Sequence, residues 1–363
     1  MSDFEEYIRE GEPHKRAKGY AWQTAIGLQA VDGLKPSEYL IETARQHIEG
    51  DITIDEARQL IMSYYQSKDV RTKDSDDTEE ADKVSVNIAK LLNERSFSFS
   101  VVGLTSIHKH IFKDVFKFAG KIRDYNITKK EWVLRGDTVL YVSAPDIRAS
   151  IAYDLEQERS FDYTSVNMPG IINHLTKFVS GLWQIHPFGE GNTRTVAVFT
   201  IQYLRSMGLG VENDLFSNHS WYFRNALVRA NYQNVQLGVN RNPEYLERFF
   251  RNLLMGEKNE LKNRYLIIPE QGTTQSATSH ISKSEICTLN CTLGELAVLR
   301  FLKENASATQ KMIAAHIGKS ERTVKTITSN LRKKGLIERK NGKRDGFWVV
   351  KVAHTGCRIT SRI

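Results

Sequence analysis

Apolar side chains recur along most of the chain at intervals of three and four residues, which is the spacing of helices that bury one face. Up to residue 256 this spacing predicts helices over residues 20–31, 37–48, 53–67, 83–92, 104–118, 147–156, 168–185, 220–234 and 243–255. Thr53-Ile-Asp-Glu56 has the form of a capping box and marks one helix start. Two alternating runs, 132–134 and 138–142, flank Arg135-Gly-Asp137 and predict a β-hairpin.

The pattern changes near residue 292. Apolar spacing there predicts helices over 293–302, 308–317 and 321–334, and strand-like runs follow at 336–339 and 347–351. This order is typical of a winged helix-turn-helix domain. We therefore expect a mainly α protein with a small α+β winged-helix domain. The expected parts are a helical segment (1–68), a central domain (69–256), a linker (257–290) and a C-terminal domain (291–363).

Composition adds limits of its own. The 363 residues, 40% hydrophobic and 26% charged, indicate an ordinary globular chain of two or three domains. No apolar run is long enough to cross a membrane, and the first residues lack a secretory pattern, so we expect a cytoplasmic protein with reduced cysteines. The net charge of +8 permits nucleic-acid binding. The pairs Cys287/Cys291 and His108/His110 lack the partners of a zinc site and are interpreted as ordinary residues.

The strongest chemical signal is the stretch from Gln184 to Phe199, Q-I-H-P-F-G-E-G-N-T-R-T-V-A-V-F. It contains a titratable base, His186, and a carboxylate suited to Mg²⁺, Glu190. A turn with a glycine then leads into a helix, whose first N–H groups bind anions, and Arg194 can clamp a phosphate. Base, metal ligand, anion site and arginine within nine residues indicate phosphoryl or nucleotidyl transfer.

This stretch resembles the active-site motif of Fic proteins, H-P-F-x-(D/E)-G-N-G-R-x-x-R. The match covers His186, Pro187, Phe188, Glu190, Gly191, Asn192 and Arg194. Thr193 stands where the motif has Gly, and Ala197 stands where it ends in a second Arg. The run from Ile107 to Asp124 is similar to the opening helix of the Fic domain and extends the resemblance.

The resemblance implies a protein adenylyltransferase that uses ATP and Mg²⁺ to modify a Ser, Thr or Tyr hydroxyl on a target protein or on itself. The implied catalytic residues are His186 as general base, Asn192 as a donor to the phosphates and Arg194 as the β-phosphate clamp. Glu190 is the implied metal ligand. The implied nucleotide-binding set is Phe188, Gly189, Glu190, Gly191, Asn192, Thr193, Arg194, Tyr222 and Asn225, where Tyr222 and Asn225 are candidates for adenine contacts and plain core packing is their alternative.

Ala197 leaves the γ-phosphate without its usual arginine, and Thr193 adds bulk beside the phosphates. A different nucleotide, or phosphoryl transfer as in the Doc branch, therefore stays open. The second alternative is a non-enzymatic regulator that senses a nucleotide and acts through the winged helix.

The N-terminal segment resembles the small helical antitoxin of Fic toxins, whose inhibitory Glu pairs with the second motif Arg. The inhibitory position falls on Asp32, with Glu49-Gly50 as a rival. Because Ala197 removes the second Arg and Asp is shorter than Glu, we expect the usual inhibitory ion pair to be absent. The N-terminal helices would then serve as a structural lid or a weaker regulator.

Two further expectations concern partners. The hairpin at 129–142 resembles the Fic flap that holds a target peptide as an added strand. In the C-terminal domain, exposed cationic and hydroxyl side chains predict contacts with duplex DNA, with protein docking as the alternative. These side chains are Arg322, Thr323, Lys325, Thr326, Arg332, Lys343 and Arg344. A homodimer is left open.

Overall fold

A computed structural model describes residues 4–66, 75–94, 96–163, 166–209, 211, 214–269, 298–299, 301–303, 305–317, 319–340 and 346–351. The chain divides into two compact units, Met1–Gln271 and Gly272–Ile363. Of the sequence predictions, Cys287, Cys291, Lys343, Arg344 and most of the linker lie outside the described residues.

The first unit begins with five helices, and local side chains cap the starts of the third and fourth. They are α1 (Glu5–Glu10), α2 (Pro13–Gly27), α3 (Glu38–Glu49), α4 (Ile54–Gln66) and α5 (Ser75–Asn93). Ser37 accepts a hydrogen bond from the Leu40 N–H at 3.0 Å, which satisfies a free donor at the start of α3. The predicted capping box is confirmed: the Thr53 N–H donates to the Glu56 carboxylate (2.7 Å) and the Glu56 N–H to the Thr53 hydroxyl (3.2 Å).

The remaining helices of this unit form the central domain. They are α6 (Val101–Ile111), α7 (Ile147–Arg159), α8 (Met168–Ile185), α9 (Asn192–Ser206), α10 (Asp214–Asn218), α11 (Ser220–Asn231) and α12 (Glu244–Met255). Short 3₁₀ turns lie at Leu28–Asp32, Trp132–Leu134, Ala144–Asp146 and Asn263–Leu266. Every side chain of α9 from Asn192 to Leu204 is buried, so this helix is the central one that the others cover.

One apolar core runs through the whole first unit. Trp22 and Leu28 of the N-terminal segment lie in the same buried cluster as Phe112, Trp183 and Phe199 of the central domain. Burial of this apolar surface contributes roughly 25 cal/mol per Å². The N-terminal helices are therefore part of the folded body of the domain. Within the described part of the chain, no helix has the length and apolar character needed to cross a bilayer.

Three sequence predictions for this unit need correction. Helix α5 starts at Ser75, ahead of the predicted start at residue 83, because Asp76 and Asp77 fall in its first turn and complement the helix dipole. The helix predicted to reach residue 118 ends at Ile111. Residues 129–142 form no β-hairpin: the backbone turns through 3₁₀ geometry at Trp132–Leu134 and closes a loop in which the Glu131 N–H donates to Asp137 O at 2.9 Å.

The second unit has the winged-helix order that the sequence predicts. Helices α13 (Gln310–Ile317) and α14 (Glu321–Lys333) precede β1 (Ile337–Lys340) and β2 (Phe347–Val350). The strands pair antiparallel with Ile337 opposite Val350 and Lys340 opposite Phe347. Ser320 caps α14 by accepting from the Thr323 N–H at 3.2 Å. Trp348, Val324 and Leu331 lie in a separate small core.

Candidate active site

The motif forms the loop between α8 and α9. His186 caps the end of α8 in a left-handed conformation (φ 51°), which costs a non-glycine residue roughly 1–2 kcal/mol. Gly191 precedes α9 at φ 74°, and a Cβ there would lie 2.1 Å from the Phe112 ring. Only glycine fits this position, both for its backbone angle and for the close approach. The loop is thus held in one tight shape between two buried helices.

Asn192 and Thr193 fasten this loop from inside. The Phe188 N–H donates to Asn192 Oδ1 at 2.9 Å, and Asn192 Nδ2 donates to Phe188 O at 2.7 Å. The indole N–H of Trp183 donates to Thr193 Oγ1 at 2.9 Å. The Thr193 side chain is therefore engaged with α8, which explains how the loop accommodates a residue larger than the glycine of the motif.

The His186 imidazole is buried and uncharged. Burial lowers its pKa well below 6.5, and the nearby Lys129 cation lowers it further. Among the described residues neither ring nitrogen has a hydrogen-bond partner. The Tyr141 ring lies 4.2 Å from the imidazole, centroid to centroid. A neutral imidazole keeps a free lone pair and can accept a proton.

Arg194 is the most engaged cation of the site. Its Nε lies 2.8 Å from Asp32 Oδ2, and its two terminal nitrogens lie 2.7 Å from Glu80 Oε1 and 3.0 Å from Gln29 Oε1. The guanidinium also stacks 4.8 Å from the Phe112 ring. In this conformation three side chains from the first 80 residues contact the Arg194 guanidinium, the group expected from the motif to bind a phosphate.

Asp32 is nevertheless engaged in an ion pair. Ala197 carries no charge and lies in the core, so the usual pair with a second arginine is absent, as expected. Asp32 pairs with Arg194 instead, a partner that the sequence did not indicate. The rival Glu49 ends α3 and pairs with Lys15 at 2.5 Å.

Glu190 stands on the open side of the loop. Its side chain is about half exposed, and Lys129 Nζ lies 2.7 Å from Oε2. No cluster of three acidic, histidine or cysteine side chains forms a metal site in the part of the chain that the structure describes. The Glu190 carboxylate is the kind of hard oxygen ligand that Mg²⁺ prefers.

Two buried side chains that sequence reasoning missed hold the loop in place. Arg123 donates to His186 O at 2.8 Å and to Val142 O at 2.5 Å, and its own N–H donates to Pro187 O at 2.9 Å. His108, interpreted from the sequence as an ordinary helix residue, accepts from the Gly120 N–H at 2.8 Å and donates to Glu190 O at 3.1 Å. Burial lowers the pKa of His108 to about 4, so it stays neutral.

The two candidates for adenine contacts lie in the core. The Tyr222 hydroxyl donates to Tyr245 O at 3.1 Å, and Asn225 Nδ2 donates to Asn263 Oδ1 at 2.8 Å. These contacts favour the packing alternative for both residues. Phe188 is also buried and stacks on His108 at 3.7 Å, whereas Gly189 lies under the Tyr125 hydroxyl.

In the second unit, α14 presents one polar and one apolar face. Val324, Thr328 and Leu331 are buried. The exposed face carries the predicted DNA-contacting side chains that lie within the described residues, namely Arg322, Thr323, Lys325, Thr326 and Arg332. This face can reach phosphates and base edges.

Together the helical first unit and its loop define a domain in which a histidine and a helix N-terminus flank one tight turn. Residues 98–204 match the Fic/DOC family. Residues 295–338 match the winged helix-turn-helix DNA-binding family.

The individual proteins that this chain resembles share less than 30% of their residues with it over the matched regions. The chain is 29% identical over 119 residues to protein adenylyltransferase VbhT of Bartonella schoenbuchensis; the match covers 33% of this chain and only 24% of that protein. A Fic family protein of Desulfovibrio desulfuricans G20 superposes with a TM-score of 0.45 at 12% identity, over 98% of this chain and 94% of that one. The N-terminal Fic domain of a VirB-translocated Bep effector of Bartonella quintana gives 0.38 at 16% identity, over 51% and 84%.

Proposed function

We propose that the Fic/DOC domain transfers AMP from ATP to a Ser, Thr or Tyr hydroxyl of a protein, including this chain itself. One observation carries the proposal: a buried imidazole with a lowered pKa ends α8, and the N-terminus of α9, where free N–H groups suit an anion, follows after a single tight loop. Base and phosphate site are thereby fixed relative to each other.

In the proposed reaction the hydroxyl oxygen bonds to the α-phosphorus of ATP. The bond between that phosphorus and the oxygen bridging to the β-phosphate breaks, and pyrophosphate leaves. His186 takes the hydroxyl proton. Loss of a general base lowers such a rate by roughly 10²–10⁴.

The phosphates are proposed to lie at the first turn of α9, where N–H groups and the helix dipole stabilise negative charge. Arg194 would bind the leaving β-phosphate once its carboxylate partners release it. Glu190 would hold Mg²⁺, which supplies charge neutralisation on the phosphates when bound. Because Asp32 and Glu80 compete for the same guanidinium, we propose that the described conformation is a restrained state of the enzyme.

Intact-mass spectrometry after incubation with ATP and Mg²⁺ tests this function. We expect an AMP adduct with the wild type and none with His186→Ala. His110→Ala is the matched control, because that histidine is exposed on α6 and bonds to Ser106 O at 2.7 Å. Equal amounts of AMP adduct in all three proteins would refute the proposal. So would the absence of any adduct, on the protein itself or on an added protein substrate. A phosphate adduct would favour the Doc-like alternative.

We propose DNA binding as a second function, through the winged-helix domain. The exposed cations of α14 support it, as does the family matched by residues 295–338. Binding to duplex DNA should weaken as salt rises, and Arg322→Ala with Lys325→Ala should reduce the slope of log K against log salt by about 2. Absence of retention at low salt would favour protein docking.

A further inference from the structure

Beside the active-site loop, a buried carboxylate is unused by the proposed chemistry. The side chain of Glu131 is fully buried, and Arg224 NH2 lies 2.9 Å from its Oε2. The Tyr141 hydroxyl donates to its Oε1 at 3.2 Å. A buried carboxylate with two oriented partners is costly to disrupt and fixes the groups that bind it.

The loop that carries Glu131 is rigid by its own backbone. Glu131 O accepts from the N–H groups of Leu134 and Gly136, at 3.1 and 3.0 Å. At the far end, the Tyr232 hydroxyl donates to Asp137 Oδ2 at 2.6 Å. Arg224 belongs to α11, and Tyr232 is the first residue after that helix. The loop is therefore fastened to one core helix at both ends.

Tyr141 connects this loop to the catalytic histidine. Its ring lies 4.2 Å from the His186 imidazole and 5.9 Å from Trp183, so it covers the histidine on one side. Neither imidazole nitrogen makes a hydrogen bond of good geometry among the described residues, so the rings packed on it contribute to its orientation. Trp183 completes the enclosure at 5.3 Å, edge to face.

We infer that Glu131 is a positioning residue: fixed by Arg224, it holds the Tyr141 ring against His186 and so sets the orientation of the general base. This rests on the proposed function. A misoriented base slows proton transfer and leaves nucleotide binding intact, because neither Glu131 nor Tyr141 contacts the anion-binding start of α9 through any described hydrogen bond.

The test combines kinetics with NMR of the histidine rings, in the full-length protein. We expect Glu131→Ala to lower kcat by about tenfold with the KM for ATP unchanged within about twofold, and Glu131→Gln to restore most of the rate, since it can still accept from Tyr141. Tyr141→Phe keeps the ring and loses the tether, so an intermediate fall is expected. Tyr203→Phe is the matched control: its hydroxyl also donates to a buried glutamate, Glu158 at 2.6 Å, but its ring packs on Phe99.

In spectra of the protein labelled with ¹³C-histidine, the His186 ring signal, assigned with His186→Gln, should shift in Glu131→Ala and Tyr141→Phe and stay in place in Tyr203→Phe. An unmoved signal with unchanged kcat in both variants would overturn the inference. The inference would also be overturned if Glu131→Ala and Tyr141→Phe lowered kcat and the affinity for ATP in parallel and Tyr203→Phe did the same. If Glu131→Ala does not fold, Tyr141→Phe and Glu131→Gln decide. If the wild type transfers no AMP, the proposed function fails, and the NMR result still judges the positioning role.

Discussion

Under the proposed function, the ion pairs of Asp32 and Glu80 with Arg194 restrain the activity. We consider the variants Asp32→Asn and Glu80→Gln, singly and together. Each substitution removes one negative charge that faces the Arg194 guanidinium and leaves a side chain of the same shape. With the carboxylates gone, the phosphates of a nucleotide become the strongest available partners, so nucleotide affinity and the rate of AMP transfer should both rise.

The magnitude follows from the burial of the three groups. The Arg194 side chain is 2% exposed, whereas Asp32 and Glu80 are 35% and 23% exposed. Such pairs fall between exposed ion pairs, at roughly 0–1 kcal/mol, and buried ones, where loss of one partner costs roughly 3–5 kcal/mol. About 1 kcal/mol for each carboxylate gives about a fivefold gain in nucleotide affinity for each single variant and about 30-fold for the double variant.

Isothermal titration with ATP and a timed AMP-incorporation assay measure the two quantities. Asp55→Asn is the matched control, because it neutralises an N-terminal acid that pairs with Lys90 at 2.6 Å and not with Arg194. The double variant should also melt at a lower temperature without nucleotide, since Arg194 is left buried with only Gln29 and Phe112 as partners. A double variant with the affinity and rate of the wild type would refute the idea that these acids restrain the site.

Three further predictions follow from the same site and core. Because burial keeps the pKa of His186 well below 6.5, the base stays neutral in acid, and the rate of AMP transfer should hold between pH 7 and 6; a fall there that follows the titration of an ordinary histidine would contradict this burial. Burial lowers the pKa of His47 to about 4, so between that pH and about 6.5 the unfolded chain binds one more proton than the folded chain. The free energy of unfolding should therefore fall as pH falls, by up to about 1.4 kcal/mol per pH unit. Urea unfolding should show a weaker dependence of this free energy on pH in His47→Gln, and equal dependence in both proteins would argue against the role of His47. Gly191→Ala forces a Cβ into the Phe112 ring and should cost about 3 kcal/mol or more, whereas the control Gly208→Ala has the same sign of φ and open space and should cost about 1; equal losses in melting experiments would disprove the steric reason.

Much of the fold could be predicted from local patterns of apolar and polar residues in the sequence. The stripe from Met168 to Ile185 predicted α8 at the bounds observed, and so placed His186 at the end of a helix. The winged-helix order was equally legible, because its helices and strands are short, local and separated by glycine turns. These elements depend on residues a few positions apart, which is the range over which periodicity reports structure.

The clamp on Arg194 could not be found in this way. Glu80 lies 114 positions away along the chain and Gln29 lies 165 away, and such pairs leave no periodic signal. The motif alignment indicated Asp32 but not its partner, because the usual partner position is Ala197. The geometry of α9 instead brings position 194 to the N-terminal segment.

The predicted hairpin failed for a related reason. The alternating runs around Arg135-Gly-Asp137 suggested two strands, yet Glu131 turns inward to Arg224, and Arg135 and Gly136 both adopt positive φ, which closes a compact loop. The sequence alone does not show that Glu131 is buried, so its need for a partner from elsewhere in the fold could not be predicted.

The shared core of Trp22 with the central helices has a consequence for dosage in the cell. A separate inhibitory polypeptide can be diluted, degraded or made in the wrong amount. Here the residues that cover Arg194 are synthesised in the same translation event as the arginine and buried in one body with it. Every copy of the molecule therefore carries these partners of Arg194 at a ratio of one to one.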